Sequence, residues 1–332
     1  AILKLLKIAT ASGGRVKDPI PSILVSTVRR ASRTPISLCT TRTYPHNLGD
    51  MRIGIVQMQS GVDTMENLSH VISGMDTAVA QGAELVVFPE ATMRSFGGGR
   101  LDTIAEPLDG PFATLIRDHA TELGVIAVVG MFSPADTVDK DGTTRNRVAN
   151  MALVTGPDVH ESYQKIHTYD AFGYRESDTV APGADLMLFD APSARVGVAI
   201  CYDIRFPEQF INLAKLGAEV IVVPASWQDG PGKLDQWRTL VTARALDSTS
   251  FIIAADQARP GGETAAGHDD GPTGIGHSAV VSPFGRRIIE AGYDEQVLVC
   301  DIDLTDVRRA RKAIPVLDWP ARTPHSPNPE IN

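Results

Sequence analysis

The sequence predicts one large α/β domain with mixed sheets. From Met51 onwards, short apolar segments of strand length alternate with segments of helical period. Several of the strand segments are apolar throughout, which is typical of strands covered on both faces. No linker, repeat or change of composition divides residues 51–320 of the 332-residue chain, and we place the domain at residues 51–315.

The first part of this domain alternates strand, helix, strand and helix. The predicted strands are 52–58, 85–88 and 125–129. The first helix has Asp63 as its N-cap with Glu66 three residues later, and it stops at Gly82. The second helix opens at Pro111 and ends before Gly124. This order predicts strands buried between helices.

The second part adds strand pairs joined by short turns, which indicates antiparallel pairing within the sheets. The predicted strands are 148–154, 162–166, 185–189, 195–200, 219–223, 251–255, 278–281 and 296–302. Helices are predicted at residues 206–216 and 234–247. The apolar members of the later helix are Trp237, Leu240, Val241 and Leu246.

Two terminal segments differ from the domain. Residues 1–50 carry eight basic and two acidic residues, and are rich in Ser, Thr and Pro. This composition fits either a transit peptide or a flexible extension upstream of a start at Met51, and we exclude it from the fold. Residues 316–332 are predicted to be a Pro-rich tail.

Composition excludes several classes of protein. The formal net charge of −9 argues against general nucleic-acid binding. No apolar run approaches the ~20 residues that a membrane-spanning helix needs, so no membrane partner is expected. Three cysteines (Cys39, Cys201 and Cys300) cannot form a disulfide framework and suit a reducing compartment. We therefore expect a cytoplasmic protein, or a mitochondrial one if residues 1–50 are a genuine transit peptide.

Three reactive side chains stand at or near the ends of predicted strands. Glu90 follows the strand at 85–88, Lys165 lies near the end of the strand at 162–166, and Cys201 directly follows the strand at 195–200. Ligands bind at the carboxyl ends of strands in open α/β sheets. A thiol that attacks, a carboxylate that accepts its proton and an ammonium that stabilises an oxyanion can together perform acyl transfer.

The residues around these three positions carry a family resemblance. The segments VFPE at 87–90, YQKIH at 163–167 and CYDIRFPE at 201–208 resemble the nitrilase superfamily of carbon–nitrogen hydrolases in order and spacing. The segment GIGHS at 274–278 matches as well. The resemblance implies a four-layer α-β-β-α sandwich, which is commonly paired into a homodimer or a higher homo-oligomer. It implies no metal and no organic cofactor.

The resemblance also implies roles for individual residues. Cys201 would be the nucleophile, Glu90 the general base, and Lys165 the cation that stabilises the oxyanion together with the backbone N–H of Tyr202. Glu176 resembles the second glutamate of the family, which lines the pocket. The product of attack on an amide would be a thioester and ammonia, and water would then release the acid.

Residues 201–208 resemble the Nit branch, which includes ω-amidase and deaminated glutathione amidase. These enzymes act on small-molecule amides whose far end carries carboxylates. Trp227 would form a pocket wall. Arg205 would either bind a substrate carboxylate, as Lys or Arg does in such sites, or pair with Glu208 or Asp203.

Other functions stay open at the level of sequence. The main alternatives are an N-carbamoyl amino acid or β-ureido acid amidohydrolase, a nitrilase, and a catalytically silent scaffold of the same fold. A Cys–His pair formed by His167 and Cys201 is a further candidate. Metal ligation by residues 268–270 and phosphate binding at 97–99 or 271–276 lack the required spacing or context. Both glycine-rich stretches are expected to be loops near the pocket mouth. Cys300 lies in an apolar strand and is expected to be buried.

Overall fold

The computed structural model describes residues 49–140, 142–171 and 173–318. The extension and the tail predicted from the sequence, together with Cys39, lie almost wholly outside the described residues. The α-helices are α1 (Thr64–Ala80), α2 (Pro111–Leu123), α3 (Pro207–Lys215), α4 (Lys233–Ser248) and α5 (Thr305–Ala313). The strands are β1 (Asp50–Gln57), β2 (Leu85–Val87), β3 (Ile126–Lys140), β4 (Thr143–Gly156), β5 (Val159–Gln164), β6 (Asp170–Ala171), β7 (Tyr174–Arg175), β8 (Val180–Ala181), β9 (Met187–Asp190), β10 (Arg195–Val198), β11 (Val220–Ala225), β12 (Phe251–Asp256), β13 (Ala279–Val281), β14 (Arg287–Glu290) and β15 (Gln296–Asp303).

The strands form two mixed sheets and a small hairpin. The first sheet runs β15-β1-β2-β3-β4-β5, with β8 paired to β4, and the second runs β14-β13-β12-β11-β10-β9. In each sheet three neighbouring strands are parallel, β1-β2-β3 and β10-β11-β12, and the flanking main strands pair antiparallel. The β6–β7 hairpin stands apart from both. The prediction of mixed sheets is confirmed.

Alternation along the strands creates four layers. Ile53 and Ile55 face a core that also contains Val196 and Val198 of the second sheet, whereas Val56 faces a second core with the apolar sides of α1 and α2. Since successive strand residues point to opposite faces, the first sheet has one face on α1 and α2 and the other on the second sheet. Helices α3 and α4 cover the outer face of the second sheet. The four-layer α-β-β-α sandwich is confirmed.

Helix ends follow the predicted signals. The Asp63 carboxylate accepts the backbone N–H groups of Met65 (2.8 Å) and Glu66 (3.1 Å), as an N-cap does. Helix α2 begins at Pro111 and ends against Gly124, whose φ of 71° is the left-handed conformation that favours glycine. These ends fix the helices over the first sheet.

Several details differ from the sequence-based expectations. Strands β6, β7, β8 and β14 and helix α5 were not predicted. Leu246, an apolar member of the predicted helix, is 45% exposed, because the buried side of α4 follows Trp237, Val241 and Ala245 at intervals of four residues. Cys300 is half-buried rather than buried, because β15 is an edge strand of the first sheet.

One close backbone approach holds the segment that follows β2. Gly130 in β3 lies against residues 89–91, and a Cβ added at Gly130 would collide with the carbonyl oxygen of Pro89 and stand 2.8 Å from the Cα of Glu90. Only glycine fits this contact. The contact determines where Glu90 leaves the sheet.

Candidate active site

The three reactive side chains meet between the two sheets. The Lys165 Nζ donates to Glu90 Oε1 at 2.9 Å, and both side chains are almost fully buried. The Cys201 thiol is buried beside them and lines the same cleft, and the charges of Glu90 and Lys165 both act on its pKa. The structure therefore brings together Glu90, Lys165 and Cys201, which are 111 positions apart at their extremes.

Two further buried side chains complete this cluster. Glu176 accepts two hydrogen bonds from Lys165 Nζ, at 2.9 Å and 3.1 Å, and one from the backbone N–H of Tyr169 at 2.6 Å. Asn150 donates its amide to Glu90 Oε1 (2.7 Å) and to Glu176 Oε1 (3.2 Å). Asn150 was missed in the sequence, although an amide inside the apolar strand β4 is a detectable signal.

The charges in the cluster do not balance. Burial raises the pKa of Glu90 above its ordinary value, Lys165 partly offsets this effect, and Glu176 adds to it. Burial alone would lower the pKa of Lys165, but Glu176, Glu90 and Cys201 outweigh it and raise that pKa well above its ordinary value. Lys165 is thus held as a cation, while Glu90 takes up a proton more readily than an ordinary glutamate does.

Cys201 occupies an unusual backbone position at the end of β10. Its φ of 45° is left-handed, and it begins a 3₁₀ turn that extends to Arg205. A non-glycine residue there is strained, and such strain concentrates at functional sites. Burial and then the charge of Glu90 raise the pKa of the Cys201 thiol well above its ordinary value, against the lowering effect of Lys165. The thiol therefore needs a base at the moment it attacks.

Glu90 is also tied to the second sheet. The backbone N–H of Ser226, directly after β11, donates to Glu90 Oε2 at 3.0 Å. The Ser226 hydroxyl donates to the carbonyl of Pro272 at 2.7 Å. Glu90 thus links the two sheets: its Oε1 accepts from Lys165 and Asn150, and its Oε2 accepts from the backbone of Ser226.

A cleft of about 480 Å³ opens onto this cluster. Arg205 stands in its wall, where its guanidinium lies 5.0 Å from the Trp227 ring centre and 5.9 Å from that of Tyr202, and donates to Gln236 Oε1 at 2.9 Å. The cleft is lined by Glu90, Phe96, Lys165, Tyr169, Tyr174, Glu176, Cys201, Tyr202, Arg205, Ser226, Trp227, Gln228, Lys233 and Pro272. All seven candidate site residues from the sequence are in this set.

The suggested pairing of Arg205 with Asp203 or Glu208 is not formed among the described residues. Asp203 is fully buried, and its two oxygens accept four hydrogen bonds from other groups. One of those groups is the His167 ring, whose Nδ1 is 2.8 Å from Asp203 Oδ1. His167 is therefore held by Asp203, which does not support its pairing with the Cys201 thiol.

The residues considered for metal or phosphate binding have other contacts. Asp270 accepts from Arg259 at 2.7 Å, and Asp269 accepts from the Gln228 amide at 2.5 Å. Phe96, which precedes the first glycine-rich stretch, and Pro272, which lies within the second, line the cleft. Within the described residues, no helix is both long and apolar enough to cross a membrane.

Comparison with known proteins identifies the family. The sequence pattern of the carbon–nitrogen hydrolase family matches this chain over residues 52–312. The chain belongs to this family. It is thus a hydrolase of carbon–nitrogen bonds other than peptide bonds. This carbon–nitrogen hydrolase is 47% identical over 275 residues to a hydrolase of Mycobacterium tuberculosis, a match that covers 80% of the chain and 94% of the relative.

Further relatives agree with the Nit branch. The chain is 32% identical to omega-amidase NIT2 of Danio rerio, covering 81% of the chain and 94% of that protein, and 30% identical to the human omega-amidase NIT2, covering 80% and 93%. Among solved structures, Caenorhabditis elegans NitFhit matches with a TM-score of 0.69 and 26% identity, over 82% of this chain and 65% of that one. Yeast Nit3, a nitrilase superfamily member of branch 10, matches with a TM-score of 0.65 and 24% identity, over 81% and 95%.

Proposed function

We propose that this carbon–nitrogen hydrolase is a cysteine-dependent amidase that converts a small carboxylated amide into the acid and ammonia. The observation that carries the proposal is the buried hydrogen bond between Lys165 and Glu90, in the wall of the cleft that the buried Cys201 also lines. A base, a cation and a thiol at one point supply the three requirements of acyl transfer. The names of the two omega-amidase relatives support the choice of amides.

Acylation follows from the positions of these groups. Glu90 takes the thiol proton as Cys201 Sγ attacks the amide carbon, and the C=O electrons move to oxygen. Lys165 and the backbone N–H of Tyr202 stabilise this oxyanion, each such donor being worth about 3 kcal/mol. The C–N bond then breaks, the proton on Glu90 passes to the leaving nitrogen, and ammonia departs from a thioester.

Deacylation repeats the same proton transfers with water. Glu90 takes a proton from a water molecule as the water oxygen attacks the thioester carbon. The C–S bond breaks, the thiol regains the proton from Glu90, and the carboxylic acid leaves. Glu176 contributes by holding Lys165 with two hydrogen bonds, so that the ammonium is oriented before substrate arrives.

The cleft wall supports a substrate with a carboxylate at its far end. Arg205 has its guanidinium stacked beside Trp227 and held by Gln236, which orients the group without neutralising it. Lys233 lines the same cleft. Burial lowers the pKa of Lys233, and the charge of Arg205 lowers it further. Two neighbouring cations favour an anionic ligand.

A substrate screen tests the proposal. We expect ammonia release from the monoamides of four- and five-carbon dicarboxylic acids, with or without a 2-keto group, and none from Cys201→Ala. The control is Cys300→Ala, which removes a half-buried thiol outside the cleft and is expected to retain activity. Turnover of N-carbamoyl acids or nitriles in preference to these amides would contradict the proposal. A lack of turnover and of thioester with every compound would indicate a scaffold.

The homodimer and the cytoplasmic location stay predictions. The first rests on the resemblance to the family and the second on cysteine usage. Sedimentation of the purified chain and fractionation of the native cells test them.

A further inference from the structure

A fully buried carboxylate joins the two segments that carry the nucleophile and the lysine. Asp203 Oδ2 accepts the backbone N–H of Ile200, the residue before Cys201, at 2.9 Å. The same oxygen accepts the Tyr163 hydroxyl at 2.7 Å. Asp203 Oδ1 accepts the backbone N–H of His167 at 2.9 Å and faces the His167 ring at 2.8 Å. Asp203 therefore holds the residue before Cys201 together with Tyr163 and His167, which lie two positions before and two positions after Lys165.

These contacts explain how the strained turn is maintained. The backbone N–H of Asp203 donates to the carbonyl of Ile200 at 3.0 Å, while the Asp203 carboxylate accepts the N–H of the same residue. The two bonds close a loop around Cys201 and hold it at its positive φ of 45°. Such a conformation persists only where the surroundings over-determine it.

The surroundings of Asp203 are equally fixed. The Tyr163 hydroxyl also accepts from the Gln209 amide at 2.8 Å, and the His167 ring stacks on Phe206 with ring centres 3.5 Å apart. Gln209 belongs to α3, directly after the nucleophile turn. The carboxylate thus lies at the centre of a hydrogen-bonded network, and the described residues that line the cleft do not include Asp203 or its partners.

We infer that Asp203 is a positioning residue, which fixes the turn carrying Cys201 against the segment carrying Lys165 so that the thiol reaches the carbon and the ammonium the oxygen of one carbonyl group. This inference rests on the proposed function, since it assigns Asp203 a task in the same reaction. Asp203 does not touch substrate; it acts through Ile200 and through the residues that flank Lys165.

Asp203→Asn is the direct test, because asparagine keeps the shape and one acceptor oxygen but cannot accept all four bonds. A misplacement of 1 Å can cost about 100-fold in rate, so we expect kcat per folded molecule to fall about 100-fold while KM changes less than about threefold. Alkylation of Cys201 by iodoacetamide is expected to slow about tenfold, because the thiol loses its alignment with Glu90. The matched control is Thr155→Val, which removes one partly buried hydrogen bond to His160 outside the cleft and is expected to leave both rates unchanged.

A second variant covers the case in which Asp203→Asn does not fold. Tyr163→Phe removes one of the four bonds to Asp203, and its kcat is expected to fall by about tenfold at unchanged KM. Both kcat and the alkylation rate are normalised to folded protein. If they match the wild type in whichever variant folds, the inference is overturned.

The two proposals fail in different ways. If the wild-type chain hydrolyses no amide, the proposed function fails, and the alkylation rates alone decide the role of Asp203. If amides are hydrolysed and both variants match the wild type, only the positioning role is lost.

Discussion

Replacing Lys165 by methionine removes the ammonium while keeping a side chain of similar length. Lys165 Nζ makes three hydrogen bonds, one to Glu90 and two to Glu176, and the side chain is 2% exposed. Without it, two carboxylates face each other with only the Asn150 amide between them. The variant therefore loses both an oxyanion donor and the charge that favours the anionic form of Glu90.

The expected loss of activity follows from these contacts. One oxyanion donor is worth about 100- to 1000-fold in kcat. Loss of the ammonium also raises the pKa of Glu90 further, since Lys165 is the main influence that lowers it. Less of the base is then ionised near neutral pH, so kcat/KM is expected to fall by at least about 1000-fold, or ~4 kcal/mol.

The same substitution makes stability depend on pH in a defined direction. Removing one partner of a buried ion pair costs roughly 3–5 kcal/mol. In Lys165→Met the pKa of Glu90 in the folded chain lies further above its value in the unfolded chain, so the folded chain binds more protons between these two values. Its unfolding free energy, relative to the wild type, therefore falls as pH rises through that window.

Ammonia release and urea unfolding at about pH 5 and about pH 8 measure the two effects. Lys215→Met is the matched control, because Lys215 is exposed at the end of α3, and we expect wild-type activity and stability. Activity of Lys165→Met within tenfold of the wild type, or a stability deficit that shrinks as pH rises, would refute the reasoning.

Three further predictions concern the cleft and its supports. Arg205→Met is expected to raise KM about tenfold for a carboxylated amide but not for the neutral amide of the same length, because a hydrogen bond to a charged group is worth ~1.5–3 kcal/mol. An equal change in KM for both amides would exclude contact between Arg205 and the carboxylate. Cys201 is expected to react with iodoacetamide faster than Cys300, because it lines the cleft together with Glu90, which can take its proton. Burial raises the pKa of both thiols, that of Cys300 to about 11, so the base and not the pKa decides the order. Equal rates in a peptide map would argue against activation. Gly130→Ala is expected to lose activity and more than about 1 kcal/mol of stability in urea unfolding, because the added carbon collides with backbone atoms of residues 89–91. Activity and unfolding free energy equal to those of the wild type would show that the close contact is not required.

The fold class and the candidate catalytic trio were accessible from sequence for two reasons. A reactive residue after an apolar strand lies at the edge of the sheet where ligands bind. Glu90 and Lys165 follow β2 and β5 of the first sheet in this way, whereas Cys201 follows β10 of the second sheet, and the family resemblance joined it to the other two. The four-layer arrangement came from family resemblance rather than from periodicity.

Other features depend on contacts that no local pattern encodes. Helix α5 was missed because only Val307 and Ala310 are buried in a segment rich in charge. The partners of Arg205 were left open, because only the folded chain shows that Asp203 is occupied by four other donors. Asn150 gave a visible signal, but its role requires the positions of two carboxylates from distant segments.

The most direct test of the account is to trap the acyl group. Wild-type protein is mixed with an ω-amide, quenched in acid within the first turnover, and mapped by peptide mass spectrometry. We expect the mass of the acyl group on the peptide that contains Cys201, and no such adduct in Cys201→Ala. Ammonia release with the acyl group absent from Cys201, or attached to another residue, would contradict the account.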